Sequence, residues 1–202
     1  MAKIAIDIVL LPPEEIMDKA IEINQELLEK FPKKTILDKQ KCIPHISLAM
    51  GVVEESKLSK VEEILREISK GFQPLSLTIT NIKAGITPSG LKFCGFQIER
   101  TTELQALHET VMKKLQTICT YDVTLDMLYS KPTPEAVSLH WIRTYPTKSS
   151  FENFTPHLTI GCGETSSGEY SIKFTAVRLA ICHLGNYCTC RKILSEVNLQ
   201  NR

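Results

Sequence analysis

The chain has 202 residues, with 24 Lys plus Arg against 23 Asp plus Glu and a formal net charge of +1. That balance excludes a strong field drawing it to duplex DNA or an anionic membrane, so any polyanion it handles is small or gripped at one end. The length suits a single domain over residues 1–202, or two intimately packed lobes, with a core large enough to stabilise itself.

The opening run MAKIAIDIVLL is too short to cross a bilayer and is broken by Asp7. The seven cysteines are odd in number and scattered, which fits reduced thiols better than a disulfide framework. A cytosolic protein without membrane contact is expected.

Ile4, Ile6, Ile8 and Leu10 alternate with Ala5, Asp7 and Val9 and predict an opening strand. Pro12 and Pro13 stop it. Pro13 suits the first position of a helix and Glu14 and Glu15 its positive end, while Ile16, Ala20, Ile23, Leu27 and Leu28 form an apolar stripe running toward Phe31. A lysine-bearing connection over 33–41 follows, then PHISLAM over 44–50, then a helix from about 54 to 70 that buries Val61, Ile64, Leu65 and Ile68 and stops at Gly71.

LSLTITNIKAGI and LKFCGFQI read as strands over 75–86 and 91–98, joined by a turn through Pro88, Ser89 and Gly90. A third helix is predicted over 102–118, with Leu104, Leu107, Val111, Leu115 and Ile118 inward. Residues 120–155 read mostly as loop, with AVSLHWI over 136–142 as a strand inside it. PHLTIGC over 156–162 leads through the turn GCGETSSGE to a predicted hairpin, 172–184 with 188–199, around Gly185 and Asn186. Cys182, His183, Cys188 and Cys190 lack the paired spacing that lets two thiolates from one turn share a zinc; no metal or other cofactor is expected.

PHISLAM and PHLTIGC share one grammar: Pro, His, an apolar residue, a hydroxyl residue, an apolar residue. On a strand His45 and Ser47 take one face, with Ile46, Leu48 and Met50 on the other; His157 and Thr159 repeat this against Leu158 and Ile160. Each segment can bury its apolar side while showing an imidazole and a hydroxyl, about 6.5 to 7 Å apart along the strand. The chain carries its own control, since His108, Glu109 and Thr110 also spell H-x-T but within a predicted helix. The signal is therefore the longer pattern, twice, in strand context, at corresponding places in two halves of similar strand and helix order.

Two imidazoles facing one cleft can exchange protons with an attacking water and a leaving ribose oxygen, and two hydroxyls can hold the non-bridging phosphate oxygens. Lys39 and Lys41 are candidates to border such a cleft, and Phe93, Phe96, Tyr129, Trp141 and Tyr145 to stack on a base. His140 and His183 lack a hydroxyl partner and read as surface or edge residues.

The paired H-x-[ST] motifs resemble those of the 2H phosphoesterase superfamily, which includes RNA 2′,3′-cyclic phosphodiesterases and the proteins called 2′-5′ RNA ligases. The resemblance is strict over the two motifs and loose over the order of strands and helices. It implies an α+β fold of two pseudo-symmetric lobes, with antiparallel sheets flanking a central cleft and helices outside. It implies His45 and His157 as the catalytic acid and base and Ser47 and Thr159 as the phosphate-binding hydroxyls, leaning toward His157 activating water and His45 protonating the leaving group. The expected activity is metal-independent cleavage of a 2′,3′-cyclic phosphate or a 2′-5′ linkage on RNA or a small nucleotide, by a monomer. The alternative is a nucleotide-binding module that keeps the cleft without turnover.

Overall fold

The computed structural model describes residues 2–31, 34–86, 90–131, 133–165 and 169–200. Its strands are β1 (Lys3–Leu11), β2 (Ile46–Glu54), β3 (Leu75–Ile86), β4 (Lys92–Ile98), β5 (His157–Cys162), β6 (Glu169–Ala176), β7 (Arg178–Leu184) and β8 (Cys190–Asn198). The helices are α1 (Glu14–Lys30), α2 (Leu58–Gly71), α3 (Thr102–Leu115) and α4 (Ala136–Lys148). The strands form one antiparallel sheet in the order β6-β3-β4-β5-β2-β1-β7-β8. The α+β class is as expected, but the two separate sheets foreseen are corrected to one continuous sheet, because β2 and β5 pair and join its two four-stranded halves. Among the described residues the strands of the two halves share one pairing, Ile46 of β2 with Leu158 of β5.

The order is palindromic about that seam: β5 matches β2, β4 matches β1, β3 matches β7 and β6 matches β8. In each half a strand leads through a helix and a connection into the strand that carries the His motif, β1-α1-β2 and β4-α3-β5. The helices cross over: α1 packs on β5 and α3 on β2, so each half's helix covers the other half's motif strand. This is how their stripes are buried, with Ile16, Ala20 and Leu27 of α1 and Leu104, Leu107, Val111 and Leu115 of α3 in one continuous apolar core. Thr101 caps α3, its hydroxyl accepting the Leu104 N–H at 3.2 Å.

Three further expectations are corrected. AVSLHWI is the start of α4, not a strand: Ser138, Ile142 and Tyr145 recur at helical spacing on its buried side, and a short apolar run does not distinguish the two periods. The strand foreseen over 172–184 breaks at Val177. There the chain passes from β6, paired with β3, to β7, paired with β1 in the other half. Finally, Cys182 and Cys190 form a disulfide across the β7-β8 hairpin, with Cα atoms 5.4 Å apart, whereas free thiols were expected throughout; Cys42, Cys94, Cys119, Cys162 and Cys188 are free.

The turn foreseen at Pro88 and Ser89, and part of the one after Gly163, lie outside the described residues. Among those described, no helix is long and apolar enough to cross a membrane.

Candidate functional site

The two motifs meet at the seam. Ile46 and Leu158 are fully buried and pair across it, so their flanking residues face the other way. Because the pairing is antiparallel, His45 falls on the Thr159 side and Ser47 on the His157 side. All four line one cavity of about 500 Å³. The fold thus brings together every residue singled out by the repeated pattern.

Each motif strand carries a bulge at the same step. Val9 pairs with Ser47 but Ile8 with Ala49, leaving Leu48 as the extra residue; Gly95 pairs with Thr159 but Cys94 with Gly161, leaving Ile160. A bulge re-aims the residues beyond it. Met50, expected on the buried face with Ile46 and Leu48, therefore lines the cavity.

The imidazoles are held identically. His45 Nδ1 lies 2.7 Å from Ile43 O and His157 Nδ1 lies 2.9 Å from Thr155 O, each two residues upstream. A carbonyl only accepts, so each neutral ring carries its proton on Nδ1 and leaves Nε2 as the nitrogen able to accept one. The intervening Pro44 and Pro156 explain that part of the pattern: proline confines the residue before it to extended backbone, which fixes the accepting carbonyl.

Their surroundings differ. His45 is largely buried, its side chain 12% exposed, whereas His157 is exposed. Burial pushes the His45 pKa down to about 4, opposed by the hydrogen bond to Ile43 and aided by the nearby His157. His45 is thus neutral at neutral pH.

Behind the first motif stands Asp7, in the sequence no more than a break in an apolar run. It is fully buried; Ser47 Oγ donates to its Oδ2 at 2.6 Å, and His45 Nε2 lies 3.8 Å from the same oxygen. Its Oδ1 has no hydrogen-bond partner. Burial raises its pKa well above the ordinary value, and the hydrogen bonds from Ser47 and the Ala49 backbone only partly offset this. A lone carboxylate inside a strand buried along its length is itself a signal, since such a group needs a partner or a proton.

The walls add residues the sequence did not single out. Gln97 pairs with His157 across β4 and β5, and Lys83, Gly95 and Thr159 stand in line across β3, β4 and β5. Gly95 permits the close strand approach there, since a Cβ would meet Leu158 O at 2.7 Å. Among the described residues, the formally charged ones lining the cavity are Lys83 and Lys148, with no carboxylate beside them. Lys39 instead pairs with Glu14 and Asp18, and neither Lys39 nor Lys41 lines the cavity.

Of the aromatic candidates, Phe93, Trp141 and Tyr145 line it, Phe96 is buried in the core and Tyr129 packs on His183. Tyr187 joins them, its ring centroid 5.3 Å from Phe93 and 6.2 Å from Trp141. His183 lies against Met127 O, and His140 is exposed on α4. Among the described residues, no three of His, Cys, Asp and Glu converge as metal ligands.

The fold is shared with solved structures at low identity. TT0787 of Thermus thermophilus superposes with a TM-score of 0.63 at 12% identity, covering 98% of this chain and all of that one. E. coli LigT, complexed with 3′-AMP, gives 0.56 at 13% identity over 99% of this chain and all of LigT. The LigT complex with ATP gives 0.55 at 13% over the full length of both chains. The comparison with curated proteins finds no relative. The model of the 2′-5′ RNA ligase superfamily matches residues 12–176, a span that contains both motifs and the seam between them. The chain belongs to the 2′-5′ RNA ligase superfamily.

Proposed function

We propose that the protein is a phosphodiesterase that opens 2′,3′-cyclic phosphates, or cleaves 2′-5′ linkages, on RNA ends or small nucleotides by proton transfer between His45 and His157. The observation that carries this is the convergence of two Nδ1-anchored imidazoles, each with a neighbouring hydroxyl, on one cavity. Such a pair suits in-line displacement at phosphorus, one nitrogen taking a proton from water as the other gives one to the leaving oxygen. The solved LigT complexes with ATP, 3′-AMP and NADP+ support a nucleotide as the ligand class. Two lysines and no carboxylate among the described lining residues suit an anion.

The difference in burial supports one order of roles. His45, neutral in the resting cleft, accepts the proton of water, and His157, open to solvent, supplies the proton to the ribose oxygen. This reverses the order toward which the family resemblance leaned. Thr159 presents its hydroxyl to the phosphate. Ser47 does so when Asp7 keeps its proton: the acid then donates to Ser47 Oγ and the serine hydrogen turns to the cavity.

An aryl phosphodiester with a nitrophenolate leaving group tests the assignment, because such a group departs without a proton. His157→Ala should recover most of its lost rate on that substrate while His45→Ala does not; the opposite pattern exchanges the roles, and wild-type binding without any product selects the binding module.

A further inference from the structure

The bulges pose a problem of hydrogen-bond accounting. An extra residue in a strand leaves the ladder locally, yet a buried carbonyl needs a donor. Leu48 and Ile160 are both fully buried. The same solution is built twice. His108 of α3 donates from Nδ1 to Leu48 O at 2.7 Å, and Asn24 of α1 donates from Nδ2 to Ile160 O at 2.8 Å.

Each of these side chains has a second hold, on the connection that leads into the other motif. His108 Nε2 accepts the Phe151 N–H at 2.8 Å, and its ring stacks on Phe154 at 3.9 Å, just before Thr155, Pro156 and His157. Asn24 Oδ1 accepts the Leu37 N–H at 2.9 Å and Nδ2 also donates to Thr35 O at 3.0 Å, on the way to His45. His108 therefore ties the residue after Ser47 to the approach to His157, and Asn24 ties the residue after Thr159 to the approach to His45. Both side chains are buried. The His108 bonds require the neutral ring, which burial favours.

We propose that Asn24 and His108 are positioning residues, a crossed pair of buried clamps that hold the two H-x-[ST] strands in reacting register. The proposal rests on the two-histidine reading of the cleft. Two halves that share one backbone pairing at the seam need such ties, because displacement at one phosphorus tolerates little relative drift of the two nitrogens. The histidine that served as a control for chance thus belongs to the support of the pattern it was set against.

Three variants test this. His108→Phe keeps a ring against Phe154 and deletes both hydrogen bonds. His108→Asn restores a donor toward Leu48 O. Gly161→Ala displaces the other clamp without removing a polar group, since a Cβ there would meet Asn24 Nδ2 at 2.6 Å. On folded protein, His108→Phe and Gly161→Ala should lower kcat for a 2′,3′-cyclic nucleotide by about 10- to 100-fold with KM within about 3-fold, and His108→Asn should regain part of the loss.

In parallel, inorganic phosphate is titrated while the His45 and His157 ring protons are followed by NMR. Both rings should respond with one Kd in the wild type and cease to titrate together in the variants. Wild-type kcat and a common Kd in folded His108→Phe and Gly161→Ala overturn the clamps. Should His108→Phe not fold, the other two variants decide by the same readings. Should the wild type not turn over, the proposed function fails and the phosphate titration alone decides the clamps.

Discussion

Replacing Asp7 by asparagine should stabilise the protein, and increasingly so as the pH rises. The carboxyl is fully buried, faces Ser47, His45, Tyr145 and Cys188, and has an unpartnered Oδ1. Burial raises its pKa well above the ordinary value of 3.8. The sign follows from proton counting. In the unfolded chain the proton leaves near pH 4, while the folded protein keeps it to higher pH, so across that interval the native state binds more protons and its stability falls as pH rises. The loss is complete above the folded pKa and amounts to about 1.4 kcal/mol for each unit of upward shift.

Asparagine has the same shape and does not titrate. Asp7→Asn should lie within about 1 kcal/mol of wild type near pH 4, where both side chains are neutral, and gain on it steadily toward pH 8. Urea unfolding at pH 4, 6 and 8 measures the difference, and shifts common to both proteins cancel. A gap that stays constant across these pH values, or one that favours the wild type more as pH rises, refutes the view of Asp7 as a buried acid that resists ionisation.

Other expectations concern activity. Because His45 is pushed down to about 4, kcat/KM should hold its value well below pH 6 before falling, whereas an acid limb centred near 6.5 would contradict His45 as the base of the free protein. Ser47→Ala and Thr159→Ala should each cost less turnover than loss of an imidazole, about 1 to 3 kcal/mol in kcat/KM. Ser47→Ala should also shift the pH dependence of stability, through Asp7, as Thr159→Ala does not; equal effects on that dependence would show that Ser47 and Asp7 are not coupled. Lys83→Ala and Lys148→Ala should raise KM for an RNA end more at low salt than at high, and a salt-independent effect would remove the lysines from substrate capture.

The convergence of the two motifs on one candidate site was legible because its logic is periodic. A proline, a histidine and a hydroxyl residue at strand spacing, framed by apolar residues, fix which atoms face the cleft, and the repetition distinguishes His45 and His157 from His108. What escaped depends on contacts between distant segments. Asp7 matters because β1 lies beside β2, and Gln97 because β4 lies beside β5; neither neighbour is written locally. Strand alternation places Met50 on the wrong face because a period of two cannot foresee the bulge at Leu48. AVSLHWI reads as a strand because its anchor is remote: Ser138 Oγ accepts the Tyr187 N–H at 2.8 Å, a tertiary bond that favours helix in an ambiguous apolar run. Asn24 sat unnoticed in the stripe of α1, where a polar residue between Ala20 and Leu27 marks a buried hydrogen-bonding need.

The most direct measurement of the central claim is hydrolysis of a 2′,3′-cyclic nucleotide and of cyclic-ended RNA, in the presence of a chelator, by the wild type, His45→Ala and His157→Ala, with folding checked by circular dichroism. The account predicts product from the wild type and a drop of about 10²- to 10⁴-fold in each folded variant. Full activity in either variant, or wild-type turnover abolished by the chelator, would contradict it.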